Sequence, residues 1–400
     1  MDNDWIIYIR DRELNRYAEV DDYRKFEVTL KFNDIGKWSL EIDRRSKNLV
    51  PLMTPGFGIQ VMNRTTKEML FSGYIDERDY SWDATNDTLT VNGWDDNKLL
   101  DWRLSCPSPG ESFPPYTVQA FDQRSGVAST VIRAYVNANL GPGAVASRQW
   151  PGVIMGTDPI VGSTIQGKLR WTKLLPDMQG LAIAGGGLGF RCIQVDSNIQ
   201  FQVYMPKDKT ADVKFSVHLG NLVGGKVKTV SPEATYVYVG GDGEGTARKI
   251  REGKDDGAHQ TWGRREVFED NSGTNNDTEL DQKIKESLAD KSEQAEFEVQ
   301  ITDTEALKFG VDYNLGDKVT AIFVGSEANG EESPPGTPLV GPVFEGGQVQ
   351  EVIREIRLTL AEDGVRVVPM IGTPTKSAVF RLMREIRRIQ QRIANLETYR

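Results

Sequence analysis

The clearest alternation of apolar and polar positions runs from Phe26 to Ile42. Phe26, Val28, Leu30 and Phe32 alternate with Glu27, Thr29 and Lys31, the two-residue period of a strand with one buried face. Asn33-Asp34-Ile35-Gly36 interrupts the pattern, and Trp38, Leu40 and Ile42 resume it. This predicts a hairpin whose turn holds residues that tolerate positive φ. Short runs follow at Phe57, Ile59 and Val61, from Met69 to Ile75 and from Thr88 to Val91, with Asp83 to Asp87 as a polar turn. Residues 1–103 therefore read as a small antiparallel sandwich or barrel.

Cys106-Pro107-Ser108-Pro109-Gly110 and Pro114-Pro115 then stop the strands, because proline cannot donate to a ladder; a domain boundary is expected near 104–117. The period changes beyond it. Val127, Val131, Ala134, Tyr135 and Ala138 mark one face of a helix that Gly141-Pro142 ends. A second helix is expected from Thr172 to the glycines at Gly185, followed by a strand pair, Phe190 to Val195 and Ile199 to Tyr204, joined by Asp196-Ser197-Asn198. Residues 104–214 are thus α+β. Strand character returns from Val213, notably Thr235 to Val239. An interruption from about Gly240 to Ala295 combines a polar, glycine-rich stretch with a helix on which Leu280, Ile284 and Leu288 share a face, Thr278 being the expected N-cap. Strands are expected again at Phe297 to Ile301, Lys318 to Val324, Val349 to Leu360 and Val365 to Val368. Glu331 to Pro342, with four prolines, reads as an exposed loop or edge.

The last segment, 373–400, carries a helical seam. Val379, Leu382, Ile386, Ile389, Ile393 and Leu396 are spaced alternately three and four apart, the a and d positions of a heptad. An isolated helix would leave that stripe in water, and partner helices would bury it. Isoleucine at both a and d favours three or more strands over two, and in a parallel register Arg392 at g reaches Glu397 at e of a neighbour. Two other readings stand beside this one: a helix docked on its own protein body, and a basic helix lying on a membrane surface. Against the second, Arg381, Arg384, Arg387, Arg388 and Arg392 spread around the helix.

Composition narrows the chemistry. The 400 residues carry a net charge of −10, which disfavours a sequence-wide nucleic-acid binder. From Lys376 to Arg400, seven Lys and Arg against two Glu leave +5, so the rest of the chain holds −15. Two cysteines, Cys106 and Cys192, exclude a disulfide scaffold and a four-thiolate zinc site, and only His218 and His259 offer imidazole. The acidic start, Met1-Asp2-Asn3-Asp4, does not resemble a signal peptide, and no run reaches the ~18 apolar residues of a membrane span, so a soluble protein made in a cytoplasm is expected, without a membrane anchor.

Several patches resemble sites. Gly185-Gly186-Gly187-Leu188-Gly189 follows a helix and precedes a strand, the reverse of a phosphate loop, and reads as a helix C-cap and tight turn. Gly240 to Gly245 reads as a turn beside a strand. Asp95-Asp96 and Asp255-Asp256 lack calcium-loop spacing and read as solvated turns. No Gly-x-Ser-x-Gly elbow occurs, and no Cys or His stands at ligand spacing from either histidine. No catalytic, cofactor-binding or metal-binding residue is assigned.

Taken in order, a set of short motifs resembles the minor tail proteins of long-tailed phages, especially those of actinobacteria, related to the baseplate hub or tail-associated protein. They are Gly73-Tyr74-Ile75 with Val91-Asn92-Gly93-Trp94-Asp95-Asp96-Asn97-Lys98-Leu99-Leu100; Phe215-Ser216-Val217 with Leu219-Gly220-Asn221-Leu222; Thr235-Tyr236-Val237-Tyr238-Val239-Gly240-Gly241; Trp262-Gly263-Arg264-Arg265-Glu266; and Asp312-Tyr313-Asn314-Leu315-Gly316-Asp317-Lys318-Val319. The resemblance spans residues 5–372. It implies a mainly β, α+β chain with two tail-tube-like β-barrel or sandwich domains, at 1–103 and 215–372. The insertion at 246–296 would pack with the α+β middle domain at 104–214, and 373–400 would form a trimeric coiled coil.

The function implied is structural: a homotrimeric ring of pseudo-sixfold symmetry that continues the tail tube and gives a channel for DNA. Distal tail or tube proteins would lie above it, tip or fibre proteins below, and the tape measure protein in the lumen. It would need no cofactor, would not read nucleic-acid sequence, and would reside in the virion tail tip after assembly in the host cytoplasm. The acidic bias, where it faces the lumen, would repel passing DNA. Two rival classes remain. A receptor- or carbohydrate-binding tip protein would use exposed members of the eight Trp and twelve Tyr, although Trp38 and Trp94 sit in strand patterns as core residues do. A cell-wall hydrolase would use paired carboxylates.

Overall fold

The computed structural model describes residues 4–83, 87–111, 118–216, 219–222, 224–300, 307–322, 348–362 and 364–372. The heptad seam, the proline-rich loop at 331–342 and His218 lie outside the described residues. The amino-terminal segment forms β1 (Trp5–Arg10), β2 (Arg16–Val20), β3 (Tyr23–Lys31), β4 (Lys37–Asp43), the short helix α1 (Leu49–Met53), β5 (Gly58–Asn63), β6 (Met69–Trp82), β7 (Asp87–Asp95) and the helical turn α2 (Lys98–Asp101). The middle segment follows as β8 (Asp122–Val127), α3 (Ala128–Asn139), β9 (Val153–Met155), β10 (Thr164–Leu169), α4 (Leu174–Ala184), β11 (Gly189–Val195), β12 (Asn198–Tyr204) and β13 (Lys214–Ser216). The remainder comprises β14 (Gly224–Val230), β15 (Tyr236–Gly240), β16 (Ile250–Lys254), α5 (Asp256–Trp262), β17 (Glu266–Asp270), α6 (Asp277–Asp290), β18 (Gln294–Gln300), β19 (Lys318–Ile322), β20 (Gln348–Ala361) and β21 (Gly364–Gly372).

The predicted hairpin is β3–β4, with Phe26 opposite Leu40 and Val28 opposite Trp38. Asn33 takes φ of +55°, the left-handed conformation its turn position demands. The hairpin lies inside a sheet of order β21-β20-β3-β4-β7-β6-β5-β1-β2, with β13 attached through β19 to β20. Pairing of β20 with β3, Leu358 opposite Val28 and Leu360 opposite Phe26, makes one sheet from strands more than 300 residues apart in sequence. Leu360, Phe26, Leu40 and Val91 form one row across four strands; Leu358, Val28, Trp38 and Gly93 form another. All the apolar members of both rows are buried. Each such side chain contributes about 1.5–3 kcal/mol of transfer free energy, which is why alternation so firmly sets which face is inside.

Strand β6 is longer than the run Met69 to Ile75 foretells, continuing to Trp82 against β7 with Trp82 opposite Asp87. Beyond Ile75 its residues are mostly solvent-facing, so apolar patterning gives no sign of it. Strands β1 and β2, also without a sequence expectation, complete the sheet on the other side of β5.

The described residues form two compact units, the first within 4–226 and 298–371 and the second within 227–297. Residues 104–214 group with the first. Their core gathers Val131, Ile132, Tyr135 and Val136 of α3, Leu174, Met178 and Leu181 of α4, and Phe190, Ile199 and Phe201 of β11 and β12. The buried face of α3 is turned from the expected one: Ala134 and Ala138 are half-exposed, while Ile132, Val136 and Asn139 are buried. Helix α4 ends as expected. Gly186 and Gly187 take φ of +100° and +82°, and the Gly187 N–H donates to Ala182 O at 2.9 Å.

In the second unit β15 is flanked by antiparallel β16 and parallel β17. The core is Ala234, Val237, Val239, Leu280 and Ile284, with α6 on that face. This sheet corrects the reading of 240–295 as a polar stretch and a helix alone. Its strands Ile-Arg-Glu-Gly-Lys and Glu-Val-Phe-Glu-Asp carry too little apolar alternation to announce themselves. The N-cap of α6 is Asn276, whose side chain accepts from the Thr278 N–H at 2.9 Å; Thr278 itself lies inside the helix.

Gly93 is held to glycine by close approach. A Cβ there would stand 2.0 Å from Tyr74 O and 2.5 Å from Trp38 Nε1, whose N–H donates to the same carbonyl. Gly93→Ala is expected to lower stability by about 3 kcal/mol or more in urea denaturation of the full chain. Gly110→Ala, where a Cβ meets nothing within 4 Å, is the neutral control.

Candidate functional site

The most elaborate polar arrangement of the first unit joins the amino-terminal sheet to β11. Strand β11 pairs with β12 along one edge, through residues 189 to 195. The N–H groups of Phe190, Cys192 and Gln194, two residues apart, point from the other edge. Each meets a side-chain oxygen of the amino-terminal segment: Asn33 Oδ1 at 2.6 Å, Asn97 Oδ1 at 2.7 Å and Ser72 Oγ at 2.8 Å. The same two asparagines donate through Nδ2, Asn33 to Leu188 O at 2.7 Å and Asn97 to Asp34 O at 2.8 Å. Buried backbone donors must be satisfied, and here side chains take the place of a neighbouring strand.

The Ser72 end closes into a ring. Its hydroxyl donates to Asp96 Oδ2 at 2.5 Å; Asp96 accepts two bonds from Arg10, at 2.6 and 2.9 Å; and Arg10 Nη1 donates to Gln194 Oε1 at 3.0 Å. Gln194 Nε2 donates to Leu14 O at 2.5 Å and Asp196 O at 2.7 Å. Arg10 and Asp96 are both fully buried. The expectation that Asp95-Asp96 is a solvated turn is therefore overturned: both are buried, because α2 turns the chain inward directly after β7 and Arg10 offers a bidentate partner. Burial pulls the Arg10 guanidinium down, but the charge and hydrogen bonds of Asp96 outweigh it and its pKa is raised.

Arg10 fits because the strand beside it is bare. It lies opposite Gly58, which lies opposite Tyr74, and the Tyr74 ring covers the guanidinium at 4.6 Å. Burial and the charge of Asp96 raise the Tyr74 phenol to about 12. Tyr74 in turn contacts Trp102 and Trp150, centroids 6.0 and 6.4 Å away, and these two tryptophans stack at 5.9 Å. A column of groups thus runs from a buried ion pair to the half-exposed Trp102. Trp38 is buried; Trp94 is half-buried, with the Lys37 and Lys98 ammonium groups 5.0 and 5.1 Å from its ring.

Asp95 differs from its neighbour. Its Oδ2 accepts from Asn97 Nδ2 at 3.3 Å, while Oδ1 is buried with no hydrogen-bond partner. Burial, opposed by the Gly36 backbone and reinforced by Asp96 and Asp34, holds its pKa well above the usual carboxylate range. Cys192 is likewise pushed up by burial and by both aspartates, which makes it a poor nucleophile. Of the remaining candidates, Asp255 caps α5 by accepting from the Ala258 N–H at 2.9 Å, and Asp256 pairs with Lys254 at 2.6 Å. His259 packs edge-on against Tyr236 at 5.1 Å. Among the described residues no three His, Cys, Asp or Glu gather as a metal site, and no helix is long and apolar enough to cross a membrane. The geometry is that of a rigid joint, without a positioned nucleophile and base.

The chain matches the model of the siphovirus ReqiPepy6 Gp37-like proteins over residues 6–373. It belongs to that family. Its fold is shared with solved prophage tail proteins. The 43 kDa tail protein of prophage MuSo2 from Shewanella oneidensis superposes with a TM-score of 0.56 at 15% identity, covering 92% of this chain and 98% of its own. A tail protein from Neisseria meningitidis MC58 gives 0.56 at 13%, covering 93% and 97%. The gp18 prophage tail protein of Listeria monocytogenes EGD-e gives 0.52 at 9%, covering 96% and 99%. No curated protein matches the chain. The motifs that carry the resemblance place Asp96 in the polar ring and Asn97 as an edge cap of β11.

Sequence reasoning found Asn33 as a turn residue and Asp95 and Asp96 as an acidic pair, but not Arg10, Ser72 or Gln194. An arginine inside the apolar strand Trp-Ile-Ile-Tyr-Ile-Arg was the available signal, since a buried arginine needs a carboxylate. Arg10→Leu is expected to cost about 3–5 kcal/mol by leaving Asp96 buried and unpaired, and Asn97→Ala about 1–3 kcal/mol, both read from urea denaturation. Asp95→Asn should act oppositely. Folding raises the Asp95 pKa, so the stability carried by its neutral form is complete below the unfolded carboxylate range and is lost as pH rises toward the raised folded value. The Tm of Asp95→Asn should therefore gain on the unmodified chain as pH increases from ~4 upward, where unfolded aspartate ionises; a pH-independent difference would contradict the assignment.

Proposed function

We propose that this siphovirus protein is a structural hub of the tail tip: three chains closing into a ring of pseudo-sixfold symmetry that continues the tail tube and leaves a channel for DNA. The observation that carries the reading is the pairing of β20 with β3, by which the β segments at the two ends of the chain contribute to one sheet. A chain that supplies two adjoining β arcs is the unit from which three copies make six. Membership of the family and the fold held in common with prophage tail proteins support a tail role.

In this reading 1–103 and 215–372 are the two tube-like domains, 104–214 with the insertion 246–296 packs outside them, and 373–400 runs along the threefold axis as a coiled coil with Val379, Leu382, Ile386, Ile389, Ile393 and Leu396 inward and Arg392 facing Glu397. Tube proteins lie above, tip or fibre proteins below, the tape measure protein in the lumen, and no reaction is catalysed. The joint between β11 and the amino-terminal sheet holds the outer segment to the ring wall under the load of ejection. The hub sits in the virion and is assembled in the host cytoplasm.

The test is the mass of the purified chain in solution, 44.7 kDa per copy, together with its copy number in reconstructed particles. Replacing Ile386 and Ile389 by Asp should shift the self-association midpoint by about tenfold or more, since two charges would enter the seam. A single copy per particle, or association indifferent to both substitutions, would refute the arrangement.

A further inference from the structure

The column that begins at Arg10 ends at an exposed surface. Trp102 is 46% exposed and the adjoining Leu104 is 45% exposed. Arg103 lies over the half-buried Trp150, its guanidinium 5.4 Å from that ring, and its buried Nε has no hydrogen-bond partner. Arg148 donates to the Leu104 carbonyl at 2.7 Å and to Asn139 Oδ1 at 3.0 Å, both uncharged acceptors. Burial and the neighbouring charge of Arg148 pull the Arg103 guanidinium below its ordinary value, as expected of two cations held together without a carboxylate. Beside them Lys98 and Lys173 share the single carboxylate of Asp101, at 2.9 and 2.8 Å. Arg103, Arg148, Lys98 and Lys173 thus lie on or against the segments that carry the exposed Trp102 and Leu104, with Asp101 between the two lysines and Asp177 held by the Thr172 hydroxyl at 2.6 Å, on a chain whose net charge is −10.

The surface is also rigid. Leu104 bridges to Lys173, the Ser105 N–H donates to Thr172 O at 2.7 Å, and the Leu174 N–H donates to Arg103 O at 2.9 Å. On that paired segment Trp171 holds φ of +51°, a conformation costly for a bulky side chain and kept only where its surroundings enforce it. A preorganised patch of arginine and tryptophan has the composition of an interface centre, because such groups lose little freedom on binding.

We infer that the surface around Trp102 docks an acidic segment of a partner protein, with carboxylates on Arg103 and Arg148 and an apolar side chain between Trp102 and Leu104. Charge complementarity selects that occupant. A nucleic-acid strand would meet the same few cations and then the acidic remainder of the chain, which repels a long polyanion. A sugar ring needs an open aromatic face, and Trp150 is stacked against Trp102 and lies beneath Arg103.

The experiment uses the full-length chain and a fluorescein-labelled decapeptide of alternating glutamate and leucine, read by anisotropy, with a lysine–leucine decapeptide and a ten-nucleotide thymidine strand as comparison probes. The glutamate peptide should bind in preference to both. Arg103→Glu should weaken it about tenfold or more, whereas Arg103→Lys should stay within about threefold, because charge dominates over packing at such a contact. Trp102→Ala should weaken it with little change in salt dependence. If Arg103→Glu does not fold, Lys173→Glu, on a half-exposed side chain, carries the same expectation. Equal binding by all variants, equal binding of the lysine peptide, or tighter binding of the thymidine strand overturns the inference. None of these results depends on whether the chain forms trimers.

Discussion

A strand has two hydrogen-bonding edges, and among the described residues β11 meets another strand at only one of them. The other is the place where the middle segment must be fastened to the amino-terminal sheet, and a buried edge cannot be left bare. Three side chains at Asn33, Ser72 and Asn97 receive its N–H groups at 2.6–2.8 Å, doing with oxygens from separate loops and strands what a ladder does with carbonyls. This constraint explains the rest of the polar interior. Ser72 can accept from Gln194 because its own proton goes to Asp96, and Asp96 can be buried because Arg10 neutralises it. The ring has no spare member.

That arrangement favours specificity over gross stability. An ion pair of this kind recovers in attraction roughly what its burial costs, so a well-packed apolar substitute would hold the two segments as firmly. Fixed donors and acceptors, however, permit one register only: moving β11 by a single residue would present the wrong edge to all three caps at once. The stacked column from Arg10 through Tyr74 to Trp102 extends the same fixed arrangement to the surface.

Much of the fold was legible from local pattern. The hairpin Phe26 to Ile42 was plain from its period, the left-handed Asn33 from turn chemistry, and the end of α4 from its glycines, because in each case the determining contacts lie within a few residues. Legibility failed where distant chain decided. Asp95-Asp96 read as a solvated turn because adjacent acids usually are one, and nothing near them hints at Arg10, 86 residues away. The sheet of the second unit was hidden because β16 and β17 alternate charge with small or single apolar residues and owe their pairing to β15. The face of α3 was displaced by a turn's fraction because its partners, α4 and β12, chose which side to cover.

By itself, the sequence determined the strand-rich character, the helices of the middle segment, the acidic bias and the ordered motifs by which the family is recognised. These are properties of period, turn conformation and composition, each set by neighbouring residues. Only the tertiary structure decided that β20 lies on β3, that a buried arginine and aspartate meet beneath Tyr74, and that Arg103 lies over Trp150, which stacks on the exposed Trp102. Those follow from juxtaposition of segments far apart in the chain, where desolvation and the need to satisfy every buried polar group select among arrangements that local propensity leaves equally open.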